Sequence, residues 1–291
     1  MSISAPSVVQ EPAKGILLYL AAVFFLAVMD ASAKWLSLSY PVGQVVFFRS
    51  IFAFVPIAVF VALGGGAREI RTQAIGGHFL RGAAIAATIS SFFYGLQFMP
   101  LADATAISLT GPLFMIALSP ILLRERVGLT LWAAVLAGLL GTWIIVQPGT
   151  GAFRPEALFI VMSAVFYALA AIQTRRLART ETSLAIIVLG NIVLTLLSGA
   201  TLPFAWTDPI VSDWPIFLLI GIAGGISNSL FAIAFRVAPV SVLAPFDYTV
   251  LVWAVFFGFV LWADLPTPAV CLGALMVVMA GSYVTWSERR G

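Results

Sequence analysis

Ten apolar runs, each about as long as a bilayer is thick, dominate this sequence of 291 residues. A helix needs about 20 apolar residues to cross the hydrocarbon core of a membrane. A soluble domain carries about 25% charged residues, whereas this chain has 9% and is 62% hydrophobic. The sequence therefore predicts an all-α membrane protein with ten transmembrane helices. The predicted spans are 15–36, 42–63, 76–98, 101–123, 130–147, 155–174, 184–205, 215–236, 240–262 and 267–287.

The positions of lysine and arginine predict how the chain is oriented. With the N-terminus in the cytoplasm, twelve of the 15 basic residues lie on the cytoplasmic side, two lie on the far side and one lies within a span. Cytoplasmic loops of membrane proteins carry such an excess. We therefore expect a cytoplasmic tail at 1–14, a retained first span, both termini in the cytoplasm, and a multi-pass location in a bacterial inner membrane. Nucleic-acid binding is not expected, because the basic residues form no extended face.

One proline-to-acid interval occurs twice and indicates an internal duplication. Pro100 precedes Glu125 by 25 residues, Pro239 precedes Asp264 by the same distance, and the two copies are 139 positions apart. Spans one to five therefore pair with spans six to ten, which predicts two five-helix repeats at 15–147 and 155–287. Each repeat has an odd number of spans, so the two repeats are inverted in the membrane. Inverted repeats are the architecture of carriers that work by alternating access.

The stretch from Pro100 to Gly141 has a small-residue helix, an internal proline at Pro112, an acid in an Arg-Glu-Arg corner and then a Gly-containing helix. This pattern resembles the EamA-type repeat of the drug/metabolite transporter superfamily, and Arg49 lies where that family tends to carry an arginine. The second copy departs from it, with Ala-Asp-Leu-Pro at 263–266 in place of the corner. Within the superfamily the chain looks most like the YddG-type exporters of aromatic and other amino acids. The resemblance implies a ten-helix transporter fold and export of such amino acids.

Charged side chains inside a membrane are costly, so each is a candidate functional residue. Asp30 and Arg49 lie at similar depth on adjacent predicted spans, because a helix rises about 1.5 Å per residue. We interpret them as an ion pair or as residues that couple or gate transport. Lys34 is an alternative partner for Asp30, since residues four apart share a helix face.

Three further acids lie in or at the ends of spans. Asp247 follows Pro245, a residue that removes a helix hydrogen bond and loosens the turn. Its carboxylate is a candidate for binding a substrate ammonium group or a proton, and the alternative is a carboxylate that reaches the cytoplasmic interface toward Arg236. Glu125 and Asp264 terminate spans four and nine. We interpret these two acids as determinants of the fold or as parts of gates.

Neutral polar side chains in the spans form a third group. Unsatisfied polar groups are costly in hydrocarbon, so these side chains are expected either in helix contacts or along a substrate cavity. His78, the single histidine, can titrate near neutral pH or close the floor of that cavity. The candidate substrate-binding residues are Gln44, His78, Ser90, Tyr94, Trp143, Tyr167, Asn191, Asn228 and Asp247.

The sequence lacks the signatures of an enzyme or of an ATP-driven pump. It has no Gly-rich phosphate loop followed by Lys-Ser/Thr, and its one histidine has no neighbouring ligands for a metal. We expect no catalytic residue, no cofactor and no metal, and a monomer whose partners are a small-molecule substrate and the lipid bilayer. The predicted function is secondary export of small amphiphilic solutes by alternating access through a central cavity. A broad drug or metabolite exporter and a lipid scramblase or flippase are the alternatives.

Overall fold

The computed structural model describes residues 12–63, 66–123, 127–149 and 153–288. These residues are almost entirely helical, and the described ranges contain no β-strand. The α-helices are α1 (Pro12–Ser37), α2 (Val42–Leu63), α3 (Ile75–Leu96), α4 (Leu101–Ser108), α5 (Gly111–Leu122), α6 (Leu129–Val146), α7 (Ala157–Leu177), α8 (Ser183–Gly199), α9 (Trp214–Val237), α10 (Val240–Leu243), α11 (Thr249–Trp262) and α12 (Pro268–Glu288). Short 3-10 helices cover Ala67–Ile70, Val211–Asp213 and Ala244–Tyr248.

The helices coincide with the apolar runs of the sequence. Within the described ranges, seven helical stretches are long and apolar enough to cross a membrane, and three shorter apolar helices accompany them. Backbone polar groups have no partner in lipid, so a chain that crosses it must form its hydrogen bonds internally. The prediction of an all-helical membrane protein is confirmed, while the orientation and the number of crossings stay predictions. The shorter helices are Ser183–Gly199, Phe246–Trp262 and Pro268–Val284.

Three spans differ from the continuous helices that the sequence predicts. Span four is interrupted between α4 and α5, and span nine consists of α10, the 3-10 helix Ala244–Tyr248 and α11. A proline lies in the first turn of the helical segment after each break, Pro112 in α5 and Pro245 in the 3-10 helix. Proline lacks an N–H and therefore fits best in a first turn. Span seven ends early, at Gly199, and the chain turns before Pro203.

Small residues allow the helices to pack at short distances. Helix α9 packs against α1 and α2, and α3 packs against α7 and α8. A Cβ atom on Gly225 of α9 would lie 2.8 Å from the carbonyl oxygen of Ala53 in α2. Helices α6 and α12 cross in the same way, since a Cβ on Gly141 would lie 2.7 Å from the carbonyl oxygen of Gly273. Backbones that approach this closely are typical of packing between membrane helices.

The connections between helices gather at two ends of the bundle, which we name the outer end and the cytoplasmic end after the predicted orientation. At the outer end the Tyr40 hydroxyl donates to Asp213 Oδ2 at 2.7 Å. There Gln44 Nε2 also donates to the Thr207 carbonyl oxygen at 2.7 Å, and the Thr207 N–H donates back to Gln44 Oε1 at 2.9 Å. At the cytoplasmic end, Thr182 Oγ1 donates to the carbonyl oxygen of Glu69 at 2.5 Å.

Candidate functional site

Four polar side chains meet in the half of the bundle nearer the cytoplasmic end, and we call them the tyrosine–aspartate cluster: Tyr19, Tyr167, Asp247 and Tyr248. The hydroxyl of Tyr19 in α1 donates to Asp247 Oδ1 at 3.2 Å. Tyr167 of α7 and the adjacent Tyr248 are close enough to interact electrostatically with the same carboxylate. Tyr167 is 46% exposed and Asp247 is half-buried. Part of the cluster is therefore accessible from outside the helix bundle.

Local structure explains how the chain holds this cluster. Asp247 lies in the 3-10 helix that interrupts span nine, where the turn is not part of a regular α-helix. The ring of Tyr167 rests on Gly111 at the start of α5, since a Cβ there would lie 2.6 Å from Tyr167 Cδ1. Phe231 packs edge-on against Tyr19 with ring centroids 4.8 Å apart. Within the described ranges, no lysine or arginine forms a salt bridge with Asp247, Arg236 included.

A partly buried salt bridge joins α1 to the end of span nine at the outer end. Lys34 Nζ lies 3.0 Å from Asp264 Oδ2 and 4.6 Å from the centroid of the Trp262 ring. The rings of Trp35 and Trp262 lie beside this contact, with centroids 6.3 Å apart. We call the pair Lys34 and Asp264 the outer salt bridge. It links α1 to the segment that follows α11.

Arg49 of α2 and Asp30 of α1 are both buried, with 6% and 8% of their surfaces exposed. Their charges act on each other, but the described residues show no direct salt bridge between them. Arg49 Nε donates instead to Met29 Sδ at 3.1 Å. Lys34, the alternative partner for Asp30, contacts Asp264.

Several predicted polar residues connect helices and loops. Gln44 is fully buried and holds Thr207 by the two hydrogen bonds described above. Asn191 Nδ2 of α8 donates to the Ser50 carbonyl oxygen of α2 at 3.0 Å. His78 is also buried, and its Nε2 lies 3.3 Å from Glu181 Oε2. These side chains connect helices to neighbouring helices or loops.

The remaining predicted residues are dispersed over the bundle. Ser90 of α3 is half-buried and Asn228 of α9 is exposed. Tyr94 is partly exposed and packs on Phe159 with ring centroids 4.5 Å apart, and Trp143 is 66% exposed on α6. Glu125 lies outside the described residues. Among the candidate substrate-binding residues, the structure brings together Tyr167 and Asp247.

Two members of the cluster, Tyr19 and Tyr248, are not among the candidate residues predicted from the sequence. A signal for Tyr19 exists, because a tyrosine inside an apolar run needs a partner for its hydroxyl. Its predicted depth in span one is similar to that of Asp247 in span nine. Tyr248 directly follows Asp247, and its hydroxyl interacts with the Ser282 side chain of α12.

The contact between Glu181 and its neighbours has a pH-dependent consequence. A hydrogen bond from the Thr72 side chain, and then the interaction with His78, lower the pKa of Glu181 below its usual range. A carboxyl with a lowered folded pKa stabilises the folded state above its unfolded pKa of about 4.3. That contribution is lost as the pH falls through the folded pKa.

We therefore expect Glu181→Gln to lower the melting temperature at neutral pH and to match the wild type more closely in acid. Thermal unfolding in detergent, between about pH 3.5 and pH 7, measures this difference. Glu156→Gln, at the outer end of α7, is the matched control and should follow the wild type at every pH. A deficit of Glu181→Gln that stays constant across the range would contradict the assignment.

Comparison with known proteins agrees with this fold. The model of the EamA-like transporter family matches residues 13–147 and again residues 154–286. A crystal structure with a TM-score of 0.65 and 21% sequence identity, covering 96% of this chain and 98% of that chain, has the same fold. The resemblance to the EamA-type repeat is therefore confirmed for both parts of the chain.

Three curated relatives of similar length are named as transporters or as an exporter. The S-adenosylmethionine uptake transporter of Rickettsia prowazekii is 24% identical over 95% of this chain and 94% of its own. The pseudopaline exporter CntI of Pseudomonas aeruginosa is 28% identical over 91% and 94%. The riboflavin transporter of Vibrio cholerae is 27% identical over 98% and 97%. The chain belongs to the EamA-like transporter family of the drug/metabolite transporter superfamily and is a membrane transporter.

Proposed function

We propose that this transporter is a secondary carrier that exports small amphiphilic solutes by alternating access, and that the tyrosine–aspartate cluster forms part of its substrate site. The observation that carries the proposal is the Asp247 carboxylate, which has no salt-bridge partner in the described ranges and lies beside the half-exposed Tyr167. Ionisable groups within membrane segments mark substrate or ion paths. Interrupted helices form such sites in carriers.

The similarity of the two halves supports the alternating-access part of the proposal. Span four is interrupted at Leu109–Thr110, and the positions 139 residues later are those where the 3-10 helix of span nine passes into α11. The same interval separates Pro100 from Pro239. The packing of α1 on α9 has its counterpart in the packing of α7 on α3. Two inverted repeats with equivalent contacts can exchange their conformations, which would open the path first to one side and then to the other.

The charges at the two ends suggest which arrangement the described structure has. The outer salt bridge joins α1 to the segment after α11, and at the cytoplasmic end Arg176 of α7 donates to the Leu122 carbonyl oxygen of α5. The outer contact supports an arrangement that is closed at the outer end. In the opposite arrangement we expect Lys34 and Asp264 to separate.

The substrate class follows from the chemistry of the cluster. A carboxylate among tyrosine rings suits a solute with a positively charged group and an apolar body, because aromatic faces attract cations. The relatives are named for S-adenosylmethionine, pseudopaline and riboflavin, which supports metabolites rather than inorganic ions. Amino acids with large apolar or aromatic side chains are the candidates we propose within this class. A broader drug or metabolite exporter is the runner-up.

An apolar groove bears on the lipid-scramblase alternative. It encloses about 320 Å³ between α4, α11 and α12, and Leu251, Val270 and Leu275 are among its lining residues. An acyl chain fits such a groove. The lining residues of the groove include no charged or strongly hydrogen-bonding side chain that could accompany a lipid head group. Moving a head group through hydrocarbon without such partners is costly. This arrangement favours a carrier over a scramblase.

Transport by the purified protein in liposomes tests the proposal. We expect movement of amphiphilic solutes from a panel of amino acids, amines and dyes, assayed with and without a pH gradient, and no exchange of lipid. Asp247→Asn should lower the initial rate at least tenfold, equivalent to about 1.4 kcal/mol. Asp208→Asn is the control, since Asp208 is an exposed acid of the outer end. Lipid exchange without solute movement would overturn the carrier proposal.

A further inference from the structure

We infer that Arg49 binds the carboxylate group of the transported solute. The inference rests on the proposed carrier function and adds to it a second contact with the substrate, in a different part of the bundle. Arg49 lies where α1, α2 and α9 meet, next to Met29 and Gly224.

Most hydrogen-bond donors of the Arg49 side chain have no acceptor among the described residues. A guanidinium group has five N–H donors, and the single hydrogen bond of Arg49 in the described ranges runs from Nε to the sulfur of Met29. A thioether is a weak acceptor. The four N–H groups on the terminal nitrogens have no protein acceptor among the described residues, although the side chain is only 6% exposed. Such donors are costly inside a membrane unless a ligand accepts from them.

The nearby charges leave the guanidinium available. Asp30 partly balances the positive charge of Arg49 but does not contact it. Lys34 is neutralised by Asp264. The planar fork of arginine matches a carboxylate through two parallel hydrogen bonds. Asp30 can bind a positively charged group of the solute. A solute that carries both an ammonium and a carboxylate can therefore pair its ammonium with Asp30 and its carboxylate with Arg49.

The helices pack closely at this position. A Cβ on Gly224 would lie 2.9 Å from Met29 Sδ and 3.6 Å from Arg49 Nε, so a larger residue there would displace Met29 and press on the guanidinium. Asp30 is eleven residues from Tyr19 along α1, which is about 16 Å at 1.5 Å per residue. The solute therefore meets Asp247 nearer the cytoplasmic end and Arg49 nearer the outer end.

Binding of two matched probes to the wild-type protein in detergent tests this inference first. L-tryptophan has an ammonium and a carboxylate, whereas tryptamine lacks the carboxylate. We expect L-tryptophan to bind at least about tenfold more tightly than tryptamine, as measured by calorimetry. Equal affinities for L-tryptophan and tryptamine, or no binding of L-tryptophan, would overturn the inference.

The conservative variant Arg49→Lys distinguishes a role of Arg49 in carboxylate recognition from a role in folding. Arg49→Lys keeps the positive charge but loses the fork, so the affinity for L-tryptophan should fall about tenfold while that for tryptamine stays unchanged. Arg81→Lys is the control, because Arg81 is another arginine within a helix and its donors already bond Thr174 and the Ile186 carbonyl. If Arg49→Lys weakens both probes equally, Arg49 has a structural role alone and the inference fails.

The liposome panel distinguishes this failure from failure of the proposed function. If solutes cross the membrane while L-tryptophan and tryptamine bind alike, the carrier proposal stands and the role of Arg49 is wrong. If no solute crosses, the carrier proposal fails, and the probe affinities still decide whether Arg49 recognises a carboxylate.

Discussion

Gly141→Ala is expected to destabilise the folded protein by about 2 kcal/mol or more. The new methyl group would lie 2.7 Å from the carbonyl oxygen of Gly273 and 2.9 Å from Met276 Cβ. A backbone oxygen cannot rotate away as a side chain can, so α6 and α12 would have to separate along their crossing. Thermal unfolding and the yield of monodisperse protein in detergent measure the effect.

Gly76→Ala makes the same chemical change where a Cβ meets no atom within 4 Å. Because alanine favours a helix over glycine by about 1 kcal/mol, this control should be as stable as the wild type or slightly more stable. Equal melting temperatures for the two alanine variants would refute the importance of the α6–α12 crossing.

Reversing one charge of the outer salt bridge is expected to reduce transport about tenfold. Asp264→Lys places two cations where Lys34 Nζ and Asp264 Oδ2 now lie 3.0 Å apart, so the outer end should no longer close. Lys34→Asp creates the corresponding repulsion between two carboxylates. Initial rates of solute transport in liposomes measure the loss, and thermal unfolding shows whether each variant is folded.

The double variant Lys34→Asp/Asp264→Lys restores opposite charges and should recover transport to within about threefold of the wild type. Asp208→Lys adds a positive charge to an exposed site at the same end and should leave transport unchanged. A double variant that is as slow as either single variant would refute a role of this contact in closing the outer end.

The helical fold follows from the sequence because a lipid environment leaves a chain few alternatives. Long apolar runs with little charge must satisfy their backbone hydrogen bonds internally, and helices do this locally. The interruptions are harder to predict. Pro112 and Pro245 both indicate a disturbed turn, but whether a helix ends there or only bends depends on the neighbouring helices. The early end of α8 at Gly199 likewise depends on contacts of the following segment with α2.

The site is less predictable than the fold, because its contacts join residues that are far apart in sequence. Tyr19 and Asp247 are separated by 228 positions, and Lys34 and Asp264 by 230. Spacing along a helix suggests Asp30 as the neighbour of Lys34, yet the lysine reaches across to another span. Composition also cannot tell which face of a helix an aromatic residue occupies, so Tyr167 and Trp143 are equal candidates until the packing is known.

The two-way hydrogen bonding of Gln44 with Thr207 has a mechanical consequence. Together with the bond from Asn191 to Ser50 and the contact of Gly225 with Ala53, it ties α2, α8 and α9 into one unit drawn from both halves of the chain. A motion that parted these helices would break several hydrogen bonds and expose closely packed backbones to lipid. If the proposed alternating access is right, we expect α2, α8 and α9 to stay together as a frame. The movement that admits a solute is then expected in α1 and α11 at one end and in α5 and α7 at the other.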